Sequence, residues 1–87
     1  MAVISGQLTV GQTRLAIDGV SVNPYRLRIH NMSNTSNLFL GGGDVTASNG
    51  LELHSHESFE IIVSPNEQIF VVASSGNHDV SWLRMDV

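Results

Sequence analysis

Turn-forming residues punctuate this chain every eight to twelve positions, which leaves room for short strands and little else. Gly11-Gln12, Asp18-Gly19, Ser33-Asn34-Thr35-Ser36-Asn37, Gly41-Gly42-Gly43, Asn49-Gly50, Ser64-Pro65-Asn66-Glu67 and Ser75-Gly76-Asn77 all carry residues that reverse a backbone. Between them apolar and polar residues alternate at a period of two, as strands with one buried face require. No window keeps a helical period, apart from a single helical turn over Val45–Ser48. The spacing predicts an all-β chain of about eight short, mainly antiparallel strands, closed as a small β-sandwich or β-barrel.

The first strand is expected over Ala2–Val10, with Ala2, Ile4, Leu8 and Val10 on one face and Gly6 among them. Arg14–Ile17 follows, with Leu15 and Ile17 inward. Val20–Pro24 is a loop, because Pro24 cannot donate to a ladder. In Tyr25–Met32, Leu27 and Ile29 point one way and Arg26, Arg28 and His30 the other. Asn31 falls on the apolar side, so its amide must find backbone partners in the next loop. Leu38–Leu40 and Leu51–Leu53 flank the glycine-rich stretch, and a turn spans His54–Glu57. Ser58–Val63 directs Phe59, Ile61 and Val63 inward. Gln68–Ser74 is apolar on both parities, as a strand covered on both faces would be. Asp79–Val87 closes the chain, with Leu83, Met85 and Val87 on one face and Val80 and Trp82 on the other.

The chain has 87 residues, which fits one domain over 1–87. A domain this small buries only about 60% of the surface its unfolded chain exposes. It has no cysteine, so neither a disulfide nor a thiolate zinc site compensates. Only 14% of residues are charged, against about 25% in an ordinary soluble domain. There are four arginines and no lysine. Such a sparsely charged surface fits a protein that works inside an assembly. A net charge of −4 without clustered Lys and Arg argues against a nucleic-acid partner. No apolar run approaches the roughly 20 residues of a membrane span, so no membrane partner is expected. The opening MAVISGQLTV lacks the basic start and apolar core of a signal peptide, so synthesis in a cytoplasm without general secretion is expected.

Chemistry-bearing residues are few. His54, His56 and Glu60, with Glu52 in the same parity, form a His-x-His-x-x-x-Glu pattern similar to the first metal motif of cupins. Such ligands suit zinc, iron or manganese. The pattern lacks a second half, because the one downstream candidate, His78, sits in the turn sequence SGNHDV. His54 and His56 also fall where the chain turns, so a strand period does not carry across them. They are read as decoration of an exposed turn, with a cupin-like metal enzyme as the alternative. No metal or other cofactor is assigned.

Gly41-Gly42-Gly43-Asp44 is not followed by the residues of a phosphate loop, and Asp44, Thr46, Ser48 and Asn49 hold too few carboxylates for calcium. The glycines are expected to supply positive φ and close backbone approach. His78 and Asp79 are neighbours in a turn, which is not how a catalytic base and its orienting carboxylate are held. No catalytic residue is assigned. Asn31-Met32-Ser33 and Asn34-Thr35-Ser36 match the glycosylation triplet, but without a signal peptide they carry no weight. The expected structural residues are Asn31, Gly41, Gly42, Gly43, Asp44, Asn49 and Gly50, with the loop up to Gly50 ordered and available as a contact surface.

From Arg28 onward the pieces RIHN (Arg28–Asn31), LFLGGGDVTASNGLEL (Leu38–Leu53), ESFEIIV (Glu57–Val63), QIFVVASSG (Gln68–Gly76) and the closing DVSWLRMDV recur in a fixed order of turns and apolar spacings. In this the chain resembles a family of small β-domains of tailed-phage virions, and LTVGQTRLAI is similar to that family's first hairpin. One departure is His54-Ser55-His56, where the family commonly has Pro-Ala-Gly; it brings titratable groups to that turn. The resemblance implies a non-enzymatic virion protein. A stand-alone chain of this size resembles a capsid decoration protein, bound to the major capsid protein on the capsid surface and forming a homo-oligomer, with a trimer favoured. A tail or head–tail junction component is the alternative within the same family. Met1–Ile4 is expected at an interface, since a first edge strand would otherwise stand exposed.

Overall fold

The computed structural model describes residues 3–86. Met1, Ala2 and Val87, assigned above to the outer ends of the first and last strands and, for Met1 and Ala2, to an interface, lie outside the described residues. The strands are β1 (Val3–Val10), β2 (Leu15–Ala16), β3 (Tyr25–Asn31), β4 (Leu38–Gly41), β5 (Leu51–Leu53), β6 (Ser58–Val63), β7 (Phe70–Ala73) and β8 (His78–Asp86). They form two four-stranded sheets, β1-β8-β3-β6 and β2-β7-β4-β5, and every pairing is antiparallel. The sandwich is therefore realised rather than the barrel. The chain crosses between sheets at most connections, and this strand order is that of a jelly roll.

Period-two alternation sends one row of each sheet into the space between them. Val10, Ile17, Tyr25, Leu27, Ile29, Leu38, Leu40, Leu53, Val63, Val71, Ala73 and Val80 form a single core cluster. Each side chain of Val, Leu or Ile size contributes about 1.5–3 kcal/mol when fully buried. In β8 the inward row is Val80, Trp82 and Arg84, leaving Leu83 and Met85 on the outer face. Trp82 lies against Gly6 of β1, where a Cβ would stand 2.7 Å from the indole ring. The glycine in the inward row of β1 is thus the space that seats the tryptophan.

Ile17 is in the core, but Leu15 is 39% exposed. Leu15 pairs with Val71 on the inward row, yet β2 is a two-residue outer strand and little covers it. Gln68–Ser74 shortens to β7, whose Val71, Val72 and Ala73 are all buried. One face of β7 meets the core, and Val72 on the other shares a shallow groove with Val45, Thr46 and Ala47. The turn after β6 has Pro65 at its second position and Asn66 at φ 64°, with Glu67 N–H donating to the Ser64 carbonyl. This is the geometry of a type II turn.

Candidate functional site

Asn31 ends β3 fully buried, and three segments converge on it. Its Nδ2 donates to the carbonyls of Ser36 (2.9 Å) and Leu53 (3.0 Å), and its Oδ1 accepts from Ser33 N–H (2.9 Å). Its backbone N–H donates to the Glu57 carbonyl, and its carbonyl accepts from His56 N–H. The side chain therefore ties the turn after β3 to the end of β5, and the backbone of the same residue holds the turn before β6. Ser33 extends the hub: its Oγ accepts from the N–H groups of Thr35 and Ser36 and meets His78 Nδ1 at 3.1 Å, and its carbonyl accepts from Ser55 Oγ. His78 Nε2 lies 2.7 Å from the Ser75 carbonyl, which can only accept, so Nε2 carries the proton there.

The histidines of the metal pattern sit on the rim of this hub and diverge. His54 is exposed, with Nε2 2.7 Å from Glu52 Oε1 and its backbone N–H donating to Glu57 Oε1. His56 occupies the left-handed region at φ 60°, with Nε2 2.6 Å from Asn34 Oδ1. Glu60 is on the outer face of β6, 3.6 Å from Arg26 and 3.7 Å from Arg28. His54 and Glu60 thus bind different neighbours. Among the described residues no group of three or more His, Asp or Glu side chains is placed to hold a metal ion. His56 holds a positive φ, a conformation that Gly adopts freely and other residues seldom do.

The stretch from Gly41 to Gly50 is a folded loop built around Val45, which is 2% exposed. A Cβ on Gly41 or on Gly50 would stand 2.8 Å from the Val45 side chain. Asn49 holds the far side: Oδ1 accepts from Thr46 N–H (2.7 Å) and Nδ2 donates to the Asp44 carbonyl (3.3 Å). Asn49 and Gly50 N–H both reach the Thr46 carbonyl, making a turn rather than a helix. The positive φ expected at Gly41, Gly42 and Gly43 does not occur; Gly76 is the glycine with positive φ among the described residues. Gly41 and Gly50 serve close approach, while Gly42 and Gly43 are exposed with room for a Cβ, and the exposed Asp44 and Gly42 join the loop through their carbonyls, bonded by Asn49 Nδ2 and Val45 N–H.

One group escaped the sequence reading. Arg84 turns inward from β8, donates to Asp18 Oδ2 at 2.8 Å and lies 4.1 Å from the centre of the Tyr25 ring. The Asp18 hydrogen bond raises the Arg84 pKa further, and burial raises that of the Tyr25 phenol against the pull of Arg84. Asp18 also accepts from Gly19 N–H through Oδ1, and its carbonyl from Gln68 Nε2. This clamp ties the Asp18-Gly19 turn to β8. The signal was available, since Arg84 shares the parity of Val80 and Trp82.

No family model and no curated protein matches the chain. A solved structure from Bacillus endospore appendages, described as a novel family of disulfide-linked pili, is similar in fold. Its TM-score is 0.63 over 99% of this chain and 86% of that one, at 14% identity. The 87 residues here contain no cysteine, so a disulfide linkage has no counterpart in them.

Proposed function

We propose that this chain is a structural subunit of a phage particle, a decoration protein that binds the major capsid protein and reinforces the shell. The observation that carries this reading is where exposed apolar side chains lie. Of the eight large apolar side chains exposed among the described residues, five lie on outer strands of the sandwich, Val3 and Ile4 on β1, Leu15 on β2, Leu51 on β5 and Ile62 on β6, at 39–60% exposed, while Val20, Val22 and Met32 lie in loops. Together with a surface poor in charge, they form contact surface rather than a pocket for a small molecule. The sequence resemblance points to the virion, and the β-sandwich fits that resemblance. The endospore pili are a further case of a similar fold in an assembled structure. Binding would stabilise the shell by mass action, to the extent that the subunit binds the assembled lattice in preference to its dissociated parts. Copy number per purified particle tests the reading. Hundreds of copies are expected; three, six or twelve would move the chain to the tail or head–tail junction, and absence from particles would overturn both.

A further inference from the structure

The outer strands of the larger sheet are unguarded. β1 pairs with β8 along all eight residues without a bulge, and its sequence VISGQLTV has no proline and no charge. At the opposite edge, β6 has one charged residue, Glu60, which its own sheet engages through Arg26 and Arg28. Soluble proteins normally blunt such edges with lysine, proline or a bulge. β2 and β5, two and three residues long, are too short to serve the same way.

We propose that β1 of one copy of this chain pairs with β6 of the next, joining their four-stranded sheets into one continuous sheet. This deepens the assembly reading above by naming the joint between copies. Three features support it. Neighbouring strands all alternate in direction, so β1 and β6 run oppositely, and a copy displaced across the sheet presents its β1 antiparallel to β6. Backbone orientation matches as well. Asn31 N–H bonds the Glu57 carbonyl and Met32 N–H bonds the Asp79 carbonyl. Strand alternation from these bonds turns the peptide groups of Ser5, Gln7 and Thr9 to one free edge and those of Ser58, Glu60 and Ile62 to the other. Side chains agree with that register: opposing Gln7 to Glu60 sets Ile4 against Val63 and Leu8 against Phe59, so the inward apolar rows continue. An apolar groove of about 200 Å³, lined by Leu40, Gly41, Leu51, Phe59, Ile61 and Ile69, opens beside β6 to receive them. No like charges meet, since β1 has none.

The joint uses different surfaces on its two sides, so it closes into a ring or grows open. That gives a distinctive test. Gln7→Pro and Ile62→Pro each remove an N–H that faces a free edge and is not used within the subunit. Purified wild-type protein is expected to sediment as assemblies larger than a dimer. Each variant alone should sediment as a monomer, and an equal mixture should give a dimer, because one intact β1 and one intact β6 remain. Far-UV circular dichroism checks that the variants fold. Independently of those variants, Gln7→Cys/Glu60→Cys in this cysteine-free chain should cross-link between copies on oxidation, because opposed residues here lie about 5.5 Å apart at Cα. A central-strand Ser81→Cys control should not. A wild-type monomer at every concentration, variants that assemble as wild type does, or cross-linking no better than the control would each overturn the proposal. Particle copy number is separate: protein that assembles alone but is missing from particles sinks only the capsid reading, and the reverse sinks only this joint.

Discussion

Asn31 shows how one polar residue in an apolar row can organise an end of a sandwich. Burying an unpaired amide costs about 1–3 kcal/mol, so the side chain is tolerated only because its carbonyl and amino groups are both engaged. Asn31→Ala strands the Ser33 N–H and the Ser36 and Leu53 carbonyls together. It should lower stability by roughly 3 kcal/mol in urea unfolding, with the largest loss of amide protection in the turn after β3 and at the end of β5. Tyr25 gives a second residue-level expectation. It is the single tyrosine, so ultraviolet titration reports it alone. Burial favours the neutral phenol, and the folded chain holds the proton to higher pH than the unfolded chain does. Stability should therefore be complete below about pH 10 and fall as pH rises through the folded value. Phenolate absorbance should appear later than in urea-unfolded protein, and Tyr25→Phe should remove that share of the alkaline loss.

Among the elements, the glycine-rich loop separates two roles that look alike in sequence. Gly41 and Gly50 exist to let Val45 descend onto the sheet; Gly42 and Gly43 do not. A methyl on Gly41 would press on the Cβ and Cγ2 of a buried valine that has little freedom to move, an overpacking cost of about 1–3 kcal/mol. A methyl on Gly42 meets nothing nearer than 3.7 Å, and its φ is not positive. Gly41→Ala should thus lower the thermal midpoint and speed proteolysis within the loop. Gly42→Ala should be neutral or slightly stabilising, by trimming the freedom of the unfolded chain. Equal effects of the two substitutions would dismiss Val45 as the loop's anchor. The ion pairs on the outer face contribute less. Arg26, Arg28 and Glu60 are 41–56% exposed, in the range where such pairs are worth about 0–1 kcal/mol.

For the molecule, small size and unguarded edges work together. A single core of twelve buried residues with no disulfide leaves a modest stability margin, and burial of Val3, Ile4, Leu51 or Ile62 between copies adds to it. Stability coupled to association depends on concentration. The thermal midpoint of the wild-type protein should rise with protein concentration, while that of Gln7→Pro should stay flat. A wild-type midpoint independent of concentration over two decades would show that the subunit gains nothing from its neighbours.

The strand menu was legible in the chain because period two and turn chemistry are local. Leu27, Ile29, Phe59, Ile61 and Val63 occupy the inward rows their spacing predicts, and the buried Asn31 is bonded by the loop that follows it. Arg84 went unread, because parity names a face but not the Asp18 that meets it from a turn 66 positions away. His54, His56 and Glu60 looked like one site at strand spacing, and the turn at Ser55-His56 sends them to different neighbours. An edge position was expected for the first strand, where β1 does lie, but nothing in the sequence placed β6 at the opposite edge. Local alternation says that β6 is a strand, whereas its lack of a partner on one side follows from the order in which eight distant segments pack, and no residue of the strand records it.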